Sequence, residues 1–393
     1  MSKKQIVILI VIVIAQFMCT SLWFAGNAIM PQLSEVLSLT STDVGWMTSS
    51  VQLGFIVGTI FYAFFTIADR FKASNVFVIS ALLGSISNWM ITLPGLDYST
   101  ILLFRFLTGF FLAGIYPVGM KIASDFFEKG LGKALSFLVG ALVLGTALPH
   151  LVASWGTSLD WEVVLYITSI LALIGGLMVK GFVGEGPFRK TGATPSFIEI
   201  GNVFKHKEFR AASIGYFGHM WELYAFWAFI PFMMRLNGDL GFDSIQISFY
   251  SFLVIALGAL ACFIGGFISE KFGTKRTATI FLLLSGLCCL ISPFTFELHS
   301  SIYLAFMIFW GMVVIADSPL FSTLVAQEAD PQLKGTALTL VTSIGFAITI
   351  VSIQLISFLI NVMDERFVFL ILAVGPASGL YYLRRSIINT ASS

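Results

Sequence analysis

The chain is organised as a succession of long, uninterrupted apolar runs with short polar segments between them. They lie near residues 5–30, 43–67, 74–95, 100–122, 132–156, 161–182, 211–234, 245–268, 276–295, 301–326, 336–362 and 367–384. A helix needs about 20 apolar residues to cross the hydrocarbon layer of a bilayer, and each run is of that order. Lipid offers the backbone no hydrogen-bond partner, so only helices and closed barrels can span it. A barrel would show short alternating strands. Continuous runs predict an all-α membrane protein with about twelve transmembrane helices. Composition points the same way, because 57% of the residues are hydrophobic and only 11% are charged. Soluble domains carry nearer a quarter charged residues. The first run follows Lys3 and Lys4 and continues through Trp23 to about Met30 with no small-residue cleavage site. It reads as a retained span and not as a removed signal.

Charge is informative here by position. A net charge of +1 gives no field that would draw nucleic acid, so none is expected as a partner. Lysine and arginine concentrate instead in alternate loops. These hold Lys3 and Lys4, then Arg70 and Lys72, then Lys129 and Lys133, then Lys180, Arg189, Lys190, Lys205, Lys207 and Arg210. Lys271, Lys275 and Arg276, then Lys334, then Arg384 and Arg385 complete the series. The opposite loops hold only Arg235 and Arg366, with acids such as Glu35, Asp43, Asp97, Asp160 and Asp239. Basic loops stay on the cytoplasmic side. Both termini are therefore expected in the cytoplasm, which requires an even number of spans. The expected location is a plasma membrane, with the short loops suggesting a bacterial inner membrane. Cys19, Cys262, Cys288 and Cys289 all fall inside apolar runs without metal-ligand spacing and read as packing residues. No cofactor or metal is expected.

The longest polar stretch, residues 184–210, divides the chain into halves of nearly equal length, 1–183 and 211–393. It is expected to be a cytoplasmic linker, with room for a short amphipathic helix near residues 197–204. Features recur between the halves at offsets of about 200 residues, a mark of internal symmetry in transporters. Pro31 and Pro231 lie near the ends of the first and seventh runs, and Asp69-Arg70 and Glu270-Lys271 leave the second and eighth. Pro117 and Pro319 lie in the fourth and tenth, and Ala134-Leu135-Ser136 and Ala337-Leu338-Thr339 open the fifth and eleventh. The expectation is two pseudo-symmetric six-helix bundles, which as a monomer already supply each other's partner surface.

The segment Gly266-Phe267-Ile268-Ser269-Glu270-Lys271-Phe272-Gly273-Thr274-Lys275-Arg276 resembles the loop signature of the major facilitator superfamily. The first-half copy, Phe65 to Asn75, keeps Asp69 and Arg70 but lacks both glycines and the final basic pair. Span four carries Arg105, Gly109 and Gly114, similar to the family's Arg-xxx-Gly element. Span five, with Gly140, Gly145 and Pro149, matches the family's antiporter signature only in part, lacking the Gly before the proline and the Gly-Gly after it. With the architecture, the resemblance covers the whole chain. It implies a transporter of the family's two-bundle fold that works by alternating access, with Asp69, Arg70, Gly266, Glu270, Lys271, Gly273, Lys275 and Arg276 as a cytoplasmic gating loop. It also ties Arg105 to proton coupling.

Ionisable groups at membrane depth are costly, by about 2.5–3.5 kcal/mol on insertion scales, and so are functional candidates. Glu222 lies near the middle of span seven with His219 three residues before it, on one helical face. A carboxylate beside an imidazole can carry a proton. Asp317 precedes Ser318-Pro319 in span ten, where a broken helix can line a cavity. Arg105 is able to bind an anionic group or to pair with Glu222 or Asp317. Trp23 and Tyr224 are candidate cavity-lining residues. Lys121, near the end of span four, reads as a snorkelling residue, and His150 and Gln354 as interhelical hydrogen-bond formers. Structural roles compete at each of these positions.

No phosphate-binding Gly-x4-Gly-Lys-Ser/Thr stretch occurs, so the energy for transport is expected to come from an ion gradient, most simply protons. The histidines are too scattered for a membrane enzyme's site, and the tails too short for a signalling module. The reading is a secondary transporter of a small solute, leaning toward uptake of a small organic or inorganic anion, with proton-coupled drug or metabolite efflux as the alternative.

Overall fold

The computed structural model describes residues 3–127, 131–156, 160–189, 204–238, 241–329 and 334–391. All regular structure among them is helical. The chain runs through α1 (Lys3–Thr20), α2 (Ala25–Leu37), α3 (Ser41–Phe64), α4 (Ile67–Arg70), α5 (Ala73–Met90), α6 (Tyr98–Leu112), α7 (Tyr116–Phe126), α8 (Leu131–Ala153) and α9 (Glu162–Phe182). It continues through α10 (Lys207–Leu236), α11 (Ser244–Phe272), α12 (Thr274–Ile291), α13 (Ser300–Ala316), α14 (Ser318–Glu328), α15 (Lys334–Leu359) and α16 (Val374–Ala391). Of the suggested amphipathic segment at 197–204, residues 197–203 lie outside the described residues.

Among the described residues, eleven stretches of helix are long and apolar enough to cross a membrane. They correspond to the expected spans except the seventh, α10. At 30 residues, α10 is ample for a crossing, but its histidine, glutamate, tyrosines and tryptophans lower its hydropathy. It is also deeply enclosed, with Ala211 through Met234 mostly buried. A span surrounded by protein need not be apolar on every face.

Among the described residues, three spans are interrupted. α1 and α2 are parted at residues 21–24, α6 and α7 at 113–115, and α13 and α14 at Asp317. The last two breaks have one cause. Pro117 and Pro319 sit in the first turns of α7 and α14, where a proline lacks the N–H the preceding helix would need and clashes with the carbonyl four residues back.

Contacts divide the chain into two compact units, residues 1–194 with 243–256, and 195–242 with 257–393. The second boundary differs from the expected halves in assigning the first part of α11 to the first unit. Within the first unit, α1 packs on α8 and α9, and α3 on α6. Within the second, α10 packs on α15 and α16, so the opening helix of each unit meets that unit's last two spans. Glycines allow the closest approaches, as small residues do between helices in lipid. A Cβ on Gly109 would strike the Val51 carbonyl, and one on Gly54 that of Phe106. In the second unit Gly218 and Gly375 face each other's carbonyls.

Candidate functional site

The second unit's polar centre is assembled by α10 and the break before α14. Pro319 ends α13, and the Ile315 carbonyl left near the break accepts a bond from Cys262 Sγ at 3.4 Å. Asp317 sits between the two helix segments as the N-cap of α14, an end where the helix dipole favours negative charge. One turn of α10 brings His219 against it, with Nδ1 2.7 Å from Asp317 Oδ1 and both side chains wholly enclosed. The approach is close but not aligned as a hydrogen bond, and Asp317's second oxygen and His219 Nε2 have no partner either.

Glu222 faces other helices. Its Oε1 accepts from Trp310 Nε1 of α13 at 2.7 Å, and its Oε2 from Ser285 Oγ of α12 at 2.9 Å. The Trp310 ring is held by Phe226, with centroids 4.5 Å apart. Glu222 and Asp317 are completely buried. Among the described residues no lysine or arginine pairs with either. With one imidazole against two carboxylates, the cluster holds uncompensated negative charge unless it binds a proton. An unpaired charge in a low-dielectric interior is strongly unfavourable. His219 and Glu222 share a helix face, but the carboxylate that His219 approaches is that of Asp317 and not that of Glu222.

Arg105 is the first unit's buried charge. It lies on α6, entirely enclosed. Its Nη1 donates to the Leu22 carbonyl at 2.9 Å and reaches Asn88 Oδ1 at 3.5 Å, and its Nη2 donates to the Trp23 carbonyl. These carbonyls are freed where α1 ends, so the fork of the guanidinium caps the broken span. Asn88 is itself fixed by Nδ2 bonds to Thr168 Oγ1 at 3.1 Å and Ser169 Oγ at 2.9 Å. Trp23 packs at 4.8 Å from Phe55. Tyr224 lies between Trp227 and Phe346, with centroids 5.5 and 5.3 Å away. Both rings are buried in aromatic packing within their own units.

At the loop after α11 the chain turns on Gly273, with φ +87°, a backbone region that glycine enters without steric cost. Lys275 pairs with Glu208 at the start of α10, 2.8 Å apart, while Glu270, Lys271 and Arg276 are exposed. In the first-half copy Arg70 is exposed, and Arg189 bonds the Phe71 carbonyl at 3.1 Å. The Asp69 side chain lies outside the described residues. Lys121 pairs with Asp125 one turn away, at 3.1 Å.

Ser285, Trp310 and Asn88 carry this architecture and were not singled out from the sequence. Each is a polar or hydrogen-bonding residue mid-span, which is a signal, but such residues are common and only the fold says which charge they meet. Among the described residues no group of three or more His, Cys, Asp or Glu could hold a metal.

A polytopic helical bundle with buried charges and helices broken at membrane depth defines a class of solute-translocating membrane protein. The chain belongs to the Major Facilitator Superfamily, whose family model matches residues 12–353. Relatives include a probable sulfoacetate transporter of Cupriavidus necator, 22% identical over 68% of this chain and 66% of that protein. A bicyclomycin resistance protein homologue of Haemophilus influenzae is 22% identical over 83% of each chain. Among solved structures a D-xylose–proton symporter superposes with a TM-score of 0.79 at 16% identity, covering 95% of this chain and 96% of the other.

Proposed function

We propose that this multi-pass transporter moves a small solute by alternating access, driven by protons that bind the His219, Glu222 and Asp317 cluster. The observation that carries the reading is the enclosure of two carboxylates with a single imidazole and, among the described residues, no lysine or arginine paired with them. Changing the charge of Glu222 changes what ties α10 to α12 and α13, and changing that of Asp317 changes what ties it to α14. A proton is therefore able to bias one conformation over another, by as much as its affinity for the two differs.

For the solute, the favoured class is a small organic or inorganic anion taken up into the cell. Arg105 gives the first unit a buried positive charge with no carboxylate against it among the described residues, and a probable sulfoacetate transporter is among the relatives. The bicyclomycin resistance homologue, matched along 83% of its length, supports efflux as the second reading. The basic alternate loops support cytoplasmic termini in a bacterial inner membrane, and a monomer suffices for the mechanism. Lys275, Glu208 and the exposed charges of the Gly266–Arg276 loop act in this reading at the cytoplasmic gate.

The test uses purified protein in liposomes, first screened for anions that raise its melting temperature. Uptake of the best anion under an inward proton gradient is then compared for the wild type and Glu222→Gln. Gradient-driven accumulation should be lost in the variant while counterflow without a gradient survives. Intact gradient-driven uptake in Glu222→Gln would remove Glu222 from the coupling.

A further inference from the structure

The two units carry different chemistry at matching positions. Gly175 approaches Ala15 and Met18 as Gly375 approaches Gly218 and Trp221, and Pro117 and Pro319 open α7 and α14 alike. By this match Gln16 stands where the second unit has His219, Cys19 where it has Glu222, and Ile115 where it has Asp317. Arg105 has Met307 as its counterpart. The first pairing has independent support. Gln16 packs against Gly119, while the His219 ring lies 6.4 Å from that of Phe321, and Gly119 and Phe321 hold equivalent places in α7 and α14. The acids and imidazole of the candidate proton site thus lie in the second unit, and the buried guanidinium in the first.

The first unit also holds hydrogen-bonding groups that nothing satisfies among the described residues. Gln16 and Gln52 are fully enclosed, and neither amide has a partner for its nitrogen or its oxygen. Asn27 donates to Thr48 Oγ1 at 2.6 Å, but its Oδ1 is unpaired, as is Arg105 Nε. Gln52 lies one turn beyond Thr48, on the same face of α3. Buried amides are nearly always bonded, and an orphan asks for a missing partner. Unused N–H donors in the same unit as a buried positive charge that meets no carboxylate among the described residues suit an oxyanion.

We propose that Gln16 and Gln52 are solute contacts, donating their amide N–H groups to the carboxylate or sulfonate of a small anionic solute held in the field of Arg105. This rests on the transporter reading above but not on proton coupling. Enclosure in one state and exposure in another is what alternating access demands of a solute contact.

The test is a melting experiment in detergent, without a gradient, using sulfoacetate, nicotinate and D-xylose as probes on the wild type, Gln16→Leu and Gln52→Leu. Gln→Met variants, similar in length, replace any leucine variant that fails to fold. At least one of the two oxyanions should stabilise the wild type and D-xylose should not. Each variant should bind that oxyanion about tenfold more weakly or worse, with its unliganded melting temperature unchanged or raised, because an unsatisfied polar group has been removed. A scaffolding role predicts the reverse, a lower unliganded melting temperature with oxyanion affinity intact, and would overturn the assignment. So would stabilisation by D-xylose alone or by no probe. Because no proton gradient is present, these outcomes are independent of the Glu222→Gln result.

Discussion

At the residue scale the decisive feature is how each buried charge is met. Arg105 spends its two terminal nitrogens on the carbonyls of Leu22 and Trp23 and on Asn88. Arg105→Ala should therefore destabilise the protein by about 2–5 kcal/mol, since carbonyls at the end of α1 lose their donors and each buried unsatisfied group costs about 1–3 kcal/mol. Arg105→Lys should recover only part of this, because an ammonium lacks the planar fork that reaches two carbonyls at once. Thermal or denaturant unfolding in detergent measures both. Trp310→Phe tests the other charge. It retains an aromatic ring against Phe226 but removes the Nε1–H donated to Glu222. Transport should keep its solute preference and shift its pH profile. An unchanged profile would separate Trp310 from the proposed proton coupling.

At the scale of elements, glycine and proline decide how helices meet and where they stop. A Cβ on Gly109 would collide with the backbone of α3 at Val51. Backbone cannot move aside as a flexible side chain can, so Gly109→Val should cost at least the 1–3 kcal/mol or so typical of overpacking. The readout is loss of folded, monodisperse protein on extraction. The connection before the last span offers a pH-dependent case outside the membrane. Asp364 accepts from the side chain and backbone N–H of Arg366, which hold its carboxyl below the usual carboxylate value. The small stability this confers is present above the ordinary carboxylate range and lost as pH falls through the lowered value. Asp364→Asn should remove it at neutral pH and leave the acid-side melting temperature nearly unaltered, as a melting curve against pH would show.

For the whole molecule, the two units share a helix plan but not a chemistry. Substitutions at Gln16 and Gln52 should change which solutes bind and leave the pH profile of transport in place. Substitutions at Glu222, Asp317 and His219 should change the pH profile and leave solute preference in place. Transport assayed over a range of pH and solutes for both sets of variants measures this directly, and a mixed pattern in either set would show that the two tasks are not divided.

Membrane spans were legible along the chain because lipid imposes a length and an apolarity that any linear pattern displays. Eleven spans follow from that alone, and the charged residues worth attention announced themselves by being at membrane depth. Pro117 and Pro319 likewise marked their breaks locally, since the missing N–H is a property of the residue itself. What the chain's order could not convey was partnership. Glu222 meets Trp310, 88 positions away, and His219 meets Asp317, 98 positions away by the numbering, while Arg105 turns to backbone carbonyls that no side-chain identity encodes. Hydrophobicity is additive along a sequence and so can be read from it. A hydrogen bond depends on two groups sharing a place and a direction, and only the packed helices decide that.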